Sequence, residues 1–436
     1  MILGFSIIVL IATLVLGVAV PLAFVASTIF IVIGYGVDSS FLLPYGISKV
    51  NSVIILTIPL FIMAGTLMNS GGIGKKLVDA VEKFVGTIKG GLAIVTVVSC
   101  AIFGAISGSS SATLTAIGSI MSDKLRENGY PDGFVGALLA ASGILGILIP
   151  PSMIMILYAW SGNVSVLACF LAAAVPGVIL TIGMSIFSVI YLRGDSNVKV
   201  YEKSELKLKI EEEKKIRKMN REPGSLPAVI MPIIVLGSIY TGILTPTESA
   251  AVSVVYAVVI GIFVYKVLDF QTIKSSFIKA SITTGVIILM LVCIQLLARL
   301  YIMYNLPQYI LSFLLSITKN KTIIMFLINI FMIILGMLMD DTSATLLATP
   351  ILLPVVTQIG IDPIHFAAIL GVNLGMGNIT PPTAPLLYLS SRITGTNVKS
   401  MLKPTILFIV CCWLPVLLLV TYFPTVATWL PRLMGY

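Results

Sequence analysis

The sequence predicts an all-α, polytopic membrane protein built from two inverted-topology repeats. Of the 436 residues, 58% are hydrophobic and only 10% are charged, against about 25% charged in a typical soluble domain. The mean hydropathy is +1.09. Apolar runs that match a spanning helix of about 20 residues recur along the chain, and motifs of the first half recur in the second. These features exclude a soluble enzyme, a disordered chain and a disulfide-stapled domain, and the continuous runs disfavour a β-barrel.

Ten apolar segments are candidate spanning helices. They are 2–20, 22–37, 51–69, 133–159 and 165–192 in the first half, and 226–244, 247–266, 280–304, 363–390 and 404–426 in the second.

Two further apolar stretches, 92–126 and 322–358, are too long for one helix and too short for two full spans. Each has a polar cluster near its middle, and a helix of about 15 residues covers only about 22 Å. Each stretch therefore predicts a re-entrant hairpin whose tip stops inside the membrane.

One long polar segment separates the two halves. Residues 193–222 carry ten Lys or Arg and seven Asp or Glu. We therefore predict a solvated linker over 193–225, partly helical around 203–218, between a first repeat (1–192) and a second repeat (226–436).

Matching motifs relate the two halves. Residues 111–114 and 343–346 are both Ser-Ala-Thr-Leu, at an offset of 232, and Pro150-Pro151 recurs as Pro381-Pro382 at an offset of 231. Each half then holds five crossings and one hairpin. Because five is odd, the second half enters from the opposite face, which is an inverted repeat of the kind common in transporters.

The distribution of charge agrees with this topology. With the linker in the cytoplasm, 22 of the 27 Lys and Arg fall on the cytoplasmic side and Arg299 lies inside a span. This obeys the positive-inside rule, so the net charge of +9 indicates orientation rather than nucleic-acid binding. Both termini are predicted to lie outside, with the first hairpin entering from the cytoplasm and the second from outside. The outer basic residues are Lys49, Lys319, Lys321 and Arg432.

Two broken helices are predicted beside the hairpin tips, within 133–159 and 363–390. A double proline removes backbone donors and disfavours α geometry in the preceding residue. The freed carbonyls are tolerated in a membrane only when they are buried or line a cavity. A simple kink would explain one such site. The recurrence of both breaks beside polar hairpin tips favours an oxygen cage for an alkali cation.

Asp340 and Asp341 are the only carboxylates predicted deep in the membrane. A charge there costs about 2.5–3.5 kcal/mol on insertion scales, and adjacent carboxylates repel. A bound Na⁺ would relieve both costs, with H⁺ as the alternative, and we expect only one of the two side chains to face the site. The residues predicted to hold the cation are Ser109, Ser110, Gly143, Gly146, Asp340, Asp341, Asn373, Gly377, Asn378 and Thr380.

The predicted core holds no Lys or Arg. An anionic substrate would therefore be held by the N-terminal N–H groups of the half-helices and by bound cations, and each ligand would raise the affinity of the other. The residues predicted to contact substrate are Ser107, Ser109, Ser110, Pro150, Pro151, Ser152, Thr342, Ser343, Pro381, Pro382 and Thr383.

Three smaller features carry predictions of position. Thr245 to Glu248 has the composition of a helix N-terminus. Residues 75–89 are amphipathic and could lie on the cytoplasmic surface as an arm helix. His365 follows Pro363 at a helix entry, and we expect it at the interface.

Several motifs together resemble the large membrane subunit of tripartite ATP-independent periplasmic (TRAP) transporters over the whole chain. They lie at 17–24, 64–73, 106–109, 149–152, 244–251 and 378–382. The resemblance implies Na⁺-driven import of an organic anion, such as a C4-dicarboxylate or a sialic acid, by an elevator movement. It implies a bacterial inner-membrane transporter that is not an enzyme and needs no cofactor beyond Na⁺ as coupling ion.

The same resemblance implies two protein partners besides membrane lipid. One is a small four-helix membrane subunit, expected here as a separate polypeptide, and the other is a periplasmic substrate-binding protein. The chain departs from the family pattern in its long linker and at Ala384-Pro385, where a Val-Gly is more usual.

Two other functions are compatible with the sequence. One is a stand-alone Na⁺- or H⁺-coupled carboxylate symporter or antiporter that needs no binding protein. The other is an intramembrane enzyme, which is poorly supported because the chain has one His, and Asp340-Asp341 has no spaced second acid.

Overall fold

The computed structural model describes residues 1–85, 90–199 and 224–436, and every regular element in these ranges is a helix. Six helices of the described chain are long and apolar enough to cross a membrane, and the bent pair Asp132–Leu148 and Met153–Gly162 counts as a seventh span. The six are Val53–Ser70, Val166–Leu192, Pro246–Val264, Phe270–Met303, Lys321–Leu338 and Val398–Tyr422.

The other helices are shorter or less apolar. They are Ile2–Val15, Val20–Tyr35, Leu42–Val50, Ile73–Val85, Gly91–Ser107, Ser110–Glu127, Leu226–Tyr240, Leu306–Ile317, Asp341–Gln358, Pro363–Ile379, Pro385–Thr394 and Pro424–Leu433.

Three helices begin or end several residues away from their predicted bounds, and a local cap explains each difference. The spans predicted to reach 20 and 244 end at Val15 and Tyr240, close to Gly17 and Gly242, whose left-handed φ angles of +79° and +71° stop the helices. The helix predicted from 280 begins instead at Phe270, because the Asp269 carboxylate accepts a hydrogen bond from Thr272 N at 2.8 Å. The predicted N-terminus at Thr245 is confirmed by a capping box with Glu248.

The stretches 92–126 and 322–358 are helical hairpins, and they are called here the first hairpin and the second hairpin. Their outbound helices begin at Ser110 and Asp341. The side chains of Ser109 and Asp340 cap these helices by accepting from backbone N–H groups of the first turn. Each hairpin thus turns through two residues, 108–109 or 339–340. The depth of these tips in a membrane stays a prediction.

Both predicted broken helices are interrupted at their double prolines. The first has Asp132–Gly143 and a short turn to Leu148, followed by Met153–Gly162 at a 44° bend. The second consists of Pro363–Ile379 and Pro385–Thr394. The Pro150-Pro151 and Pro381-Pro382 bonds are both cis.

Helix starts in the two halves correspond beyond the matched motifs. Helices that begin at residues 110 and 132 have counterparts that begin at 341 and 363, an offset of 231. Helices that begin at 153 and 166 have counterparts that begin at 385 and 398, an offset of 232. The offset between the two Ser-Ala-Thr-Leu motifs, 232, is therefore one residue larger than the offset of 231 between the outbound hairpin helices that contain them. The division into repeats at 192 and 226 remains our interpretation.

The helices pack as two groups. In the first, called here the scaffold, Val20–Tyr35, Leu42–Val50 and Thr57–Ser70 pack on the long helix Phe270–Met303, with Ile2–Val15 and Pro246–Val259 behind them. The second, the hairpin group, contains both hairpins, both broken helices and the helices at 166–192 and 398–422. A polar contact ties the scaffold together, since Ser27 Oγ donates to Ser6 O at 2.9 Å beside the buried Tyr301 hydroxyl.

Two predicted positions are wrong. Ile73, Leu77, Val78 and Val81 of the helix Ile73–Val85 are buried, and this helix packs against Gly91–Ser107, so protein rather than a membrane surface covers these side chains. His365 is only 1% exposed, and its Nε2 lies 2.7 Å from Val420 O, because Pro363–Ile379 is buried inside the hairpin group.

Residues 86–89 and the proposed linker helix at 203–218 lie outside the described residues. The described start of the linker returns to the first repeat, where Lys199 N donates to Asn128 O at 3.0 Å.

Paired glycines let each hairpin approach its broken helix. A Cβ on Gly104 would lie 2.5 Å from Gly146 Cα, and a Cβ on Gly377 would lie 2.7 Å from Gly336 Cα. The two pairs are related at offsets of 231–232. Both hairpins therefore dock on their broken helices through the same backbone contact.

We predict that Gly104→Ala destabilises the protein, since the new methyl group would meet backbone that cannot rotate away. Overpacking of this kind costs about 1–3 kcal/mol. The melting temperature of the detergent-purified protein measures the effect. Gly183→Ala is the matched control, because Gly183 also lies inside a helix but has nothing within 4 Å. Equal melting temperatures for the two variants would contradict the proposed contact.

Candidate functional site

A cavity of about 520 Å³ lies between the scaffold and the hairpin tips, and it is called here the hairpin cavity. The scaffold contributes Ile62, Gly65, Thr66, Asn69, Thr283, Val286, Ile287 and Met290. The hairpin group contributes Phe103, Ser107, Ser109, Ser111, Ala112, Thr115, Met153, Asp340, Asp341 and Thr342.

Both aspartates line this cavity, although only one was expected to face it. The expectation assumed that both residues are helical, so that their side chains point in different directions. Asp340 instead has an extended backbone and precedes the helix, which begins at Asp341, and both side chains can therefore reach the cavity. Asp340 is exposed and accepts from Thr342 N and Ser343 N at 3.1 and 3.2 Å, and also from the Ser343 hydroxyl. Asp341 is 9% exposed. The cavity wall thus holds one solvated carboxylate and one largely buried carboxylate.

A direct hydrogen bond joins the two hairpin tips. Ser110 Oγ donates to Asp341 Oδ2 at 2.5 Å, while Thr342 N donates to the other carboxylate oxygen at 3.0 Å. Ser110 and Asp341 are each the first residue of an outbound helix, 231 residues apart. The N-termini of both helices, with their partial positive charge, therefore meet at this contact.

The first break supports the first hairpin tip from behind. Met153 N donates to Gly108 O at 3.0 Å, and Ser152 Oγ donates to Ile147 O at 2.5 Å. Gly143 packs against the Cβ of Leu114. Pro150, Pro151 and Ser152 lie within this break and do not line the cavity.

The second break supports the second hairpin in a similar way. The Thr383 hydroxyl donates to Met337 O, and Thr380 Oγ1 donates to Met376 O at 2.6 Å. Pro381 and Pro382 lie beside these contacts and outside the cavity lining.

The remaining predicted residues are buried in the hairpin group. Asn373 Nδ2 donates to Asn329 Oδ1 at 3.1 Å, and Asn378 Nδ2 donates to Leu374 O at 3.2 Å. Ser343 is buried beneath Asp340, and its Oγ lies 2.9 Å from Met290 Sδ of the scaffold. Of the predicted site, the structure thus places Ser107, Ser109, Asp340, Asp341 and Thr342 on the cavity wall.

The donors at the tips are hard oxygen atoms. The described residues contain no group of three or more His, Cys, Asp or Glu that could hold a metal ion. A cation here would be bound by carboxylate, hydroxyl and carbonyl oxygens, a set that favours a hard cation over a soft transition metal.

Sequence reasoning missed the scaffold wall of the cavity. Ile62, Thr66 and Asn69 lie at i, i+4 and i+7 on one face of their helix, and Gly65 lets this helix pass close to Ser107. Thr66 and Asn69, two polar residues near the end of an apolar span, were the sequence signal that could have indicated this part of the cavity wall. Nothing local in the sequence indicated that the facing side of the wall would come from 283–290.

Sequence comparison identifies related proteins over nearly the whole chain. Residues 7–426 match the family described as "Tripartite ATP-independent periplasmic transporter, DctM component". The chain is 34% identical over 382 residues to the C4-dicarboxylate TRAP transporter large permease protein DctM of Pseudomonas aeruginosa, covering 87% of each protein. It is 31% identical over 420 residues to the sialic acid TRAP transporter large permease protein SiaM of Vibrio cholerae, covering 96% of each.

A third relative is longer than this chain. The isethionate TRAP transporter permease protein DctMQ of Oleidesulfovibrio alaskensis is 33% identical over 387 residues, which are 87% of this chain. The chain spans only 58% of that protein's length.

Solved structures with a similar fold are more distant in sequence. The YdaH transporter of Alcanivorax borkumensis superposes with a TM-score of 0.64 at 13% identity, covering 88% of this chain and 87% of that one. The MtrF efflux pump of Neisseria gonorrhoeae gives a TM-score of 0.58 at 13% identity, covering 87% and 83%. At this identity the likeness concerns the fold alone.

We predict that Ser110→Ala lowers the melting temperature, because it leaves a buried carboxylate without its hydroxyl donor. Hydrogen bonds to charged groups contribute about 1.5–3 kcal/mol. In an Asp341→Ala background the same serine substitution should have little further effect. Ser119→Ala, on the exposed face of the same helix, is the control. Additive effects of the Ser110 and Asp341 substitutions would show that the hydrogen bond does not couple the tips.

Proposed function

Since the chain belongs to the tripartite ATP-independent periplasmic transporter family as its large permease component, DctM, we propose that it couples import of an organic carboxylate to a Na⁺ gradient. The observation that carries this proposal is the hydrogen bond from Ser110 to Asp341, whose carboxylate lines the hairpin cavity. It brings a buried carboxylate, a hydroxyl and two helix N-termini to one place.

The electrostatics of the hairpin cavity support an anionic substrate held with a cation. No Lys or Arg belongs to its described lining, so a substrate carboxylate would be held by helix N-termini and hydroxyl groups. Asp340 and Asp341 would repel that carboxylate unless a cation neutralised them. Na⁺ bound at these oxygens would therefore raise the affinity for the anion, and the anion would raise the affinity for Na⁺.

The position of the cavity between two helix groups supports an elevator movement. Asn69, Thr115 and Thr283 line the cavity, and each lies on the part of its helix that runs toward the predicted cytoplasmic loops. We propose that this conformation faces inward, and that the hairpin group slides along the scaffold to face outward. The linker would then be cytoplasmic and both termini periplasmic.

We propose that two partners complete the transporter. A separate small membrane subunit would cover part of the apolar scaffold surface, where exposed side chains such as Phe5, Ile8 and Ile33 otherwise meet lipid. A periplasmic binding protein would deliver the substrate to the outer face. The names of the relatives make C4-dicarboxylates and sialic acids the first substrates to test.

Uptake into proteoliposomes tests the proposal. The large subunit, its small subunit and its binding protein are reconstituted together, with substrate chosen by a thermal-shift screen of the binding protein. We expect uptake to require an inward Na⁺ gradient, because Na⁺ completes the anion site. Equal uptake with K⁺ replacing Na⁺ would overturn Na⁺ coupling. Equal uptake without the binding protein would indicate a stand-alone symporter.

We predict that Asp341→Ala reduces uptake at least tenfold while membrane insertion stays normal. Asp340→Ala should raise the Na⁺ concentration that gives half-maximal uptake, because its exposed carboxylate contributes charge to the same cavity. Gln358→Ala, an exposed substitution on the same helix as Asp341, is the matched control. Unchanged Na⁺ dependence in both aspartate variants would rule out the proposed ion site.

A further inference from the structure

A second cavity, of about 590 Å³, lies at the opposite end of the same packing interface. It is called here the outer cavity, and it shares no lining residue with the hairpin cavity. The long helix Phe270–Met303 borders both cavities, at Met290 for the hairpin cavity and at Gln295 for the outer one. The outer cavity has a largely polar lining that includes Tyr45, Lys49, Asn51, Trp160, Asn163 and Gln295.

Two cations converge on one ring at this cavity. Lys49 Nζ lies 5.7 Å from the centroid of the Tyr45 ring, and Arg299 Cζ lies 5.1 Å from the same centroid. Such distances are within the range of cation–π attraction. The Tyr45 ring therefore holds both cations near the cavity that it lines.

The positive charge here has no acidic counterpart in the described structure. No Asp or Glu lines the outer cavity. The described ion pairs involve neither Lys49 nor Arg299, and Arg299 Nε is buried with no hydrogen-bond partner in the described chain. An anion entering the cavity would thus meet the Lys49 ammonium directly, while Arg299, which is not a lining residue, would add its charge from beside the Tyr45 ring.

The location of these cations is unusual for this chain. Only five of its 27 Lys and Arg fall outside the predicted cytoplasmic segments, and two of the five are at this cavity. The positive-inside rule disfavours basic residues on the outer side. Topology therefore does not account for this pair, whereas an anion ligand would.

We propose that the outer cavity is an anion-binding vestibule that receives the substrate carboxylate before it reaches the hairpin cavity. Lys49 and Arg299 would attract the carboxylate, while the side-chain amides of Asn51, Asn163 and Gln295 offer hydrogen bonds to the rest of the molecule. The role in import rests on the proposed function. Anion binding itself rests only on the geometry of the cavity.

Tryptophan fluorescence provides a direct test on the full-length purified protein. Trp160 lines the cavity, Trp413 is fully buried, and Trp429 is removed as a background by Trp429→Phe. At constant ionic strength, iodide should quench Trp160 more strongly than caesium does. We predict that Lys49→Gln with Arg299→Gln lowers the iodide quenching constant at least twofold and leaves quenching by neutral acrylamide unchanged.

Matched variants keep this test decisive. Lys319→Gln removes another outer lysine that does not line the cavity, and it should leave iodide quenching unchanged. If the Arg299 variant fails to fold, Lys49→Gln alone should still weaken quenching, and Lys49→Arg should retain it. Equal iodide quenching in the wild type and in Lys49→Gln would overturn the proposal.

A competition separates this proposal from the transport proposal. Succinate, used as a carboxylate probe, should protect Trp160 from iodide in the wild type but not in Lys49→Gln/Arg299→Gln. Protection together with Na⁺-independent uptake would retain the vestibule and reject Na⁺ coupling. Na⁺-dependent uptake without charge-dependent quenching would reject the vestibule alone.

Discussion

The structure depends on one constraint, which is that helix ends within an apolar interior must find hydrogen-bond partners inside the protein. Two hairpin tips and two proline breaks place such ends in the middle of this fold. Each tip is joined to its own break, through Met153 N to Gly108 O in the first half and through the Thr383 hydroxyl to Met337 O in the second. The outbound helices are capped by Ser109 and Asp340. Because a tip and its break satisfy each other, neither would be stable in a membrane alone, and this explains why they occur together in both halves.

The same arrangement has diverged in its chemistry. The residue that caps the outbound helix is Ser109 in the first half and Asp340 in the second. The first residue of that helix is Ser110 in the first half and Asp341 in the second. The serine hydroxyl of one half then donates to the carboxylate of the other. Two aspartate pairs would place four carboxylates at one point and would repel, while two serine pairs would leave no charge to attract a cation. The observed asymmetry avoids both outcomes and makes the two halves complementary at their shared contact.

The sequence predicted the local elements of the fold better than the surfaces between them. Hairpin tips, double-proline breaks and the capping box at Thr245 are each written in a few consecutive residues, and the structure has them within a few residues of the expected positions. The cavity wall from Ile62 to Asn69 and from Thr283 to Met290 joins segments more than 200 residues apart, so no local pattern revealed it. Burial of His365 was missed for the same reason, since its neighbour Val420 comes from another helix. Proline and glycine patterns predict where a helix ends, but they do not predict which other helix packs against that end.

The contrast between the two cavities follows from what each must do under the proposed mechanism. A fixed Lys or Arg in the hairpin cavity would bind a carboxylate in every conformation and would slow its release. Helix N-termini with a removable cation would bind the anion only while the cation is present, so loss of Na⁺ on the inner side would release both. Fixed cations are tolerable at the outer cavity, because the anion need only pass through it and the hairpin site can compete for it. Positive charge that is permanent outside and conditional inside would therefore favour inward movement of the anion, with the Na⁺ gradient supplying the direction.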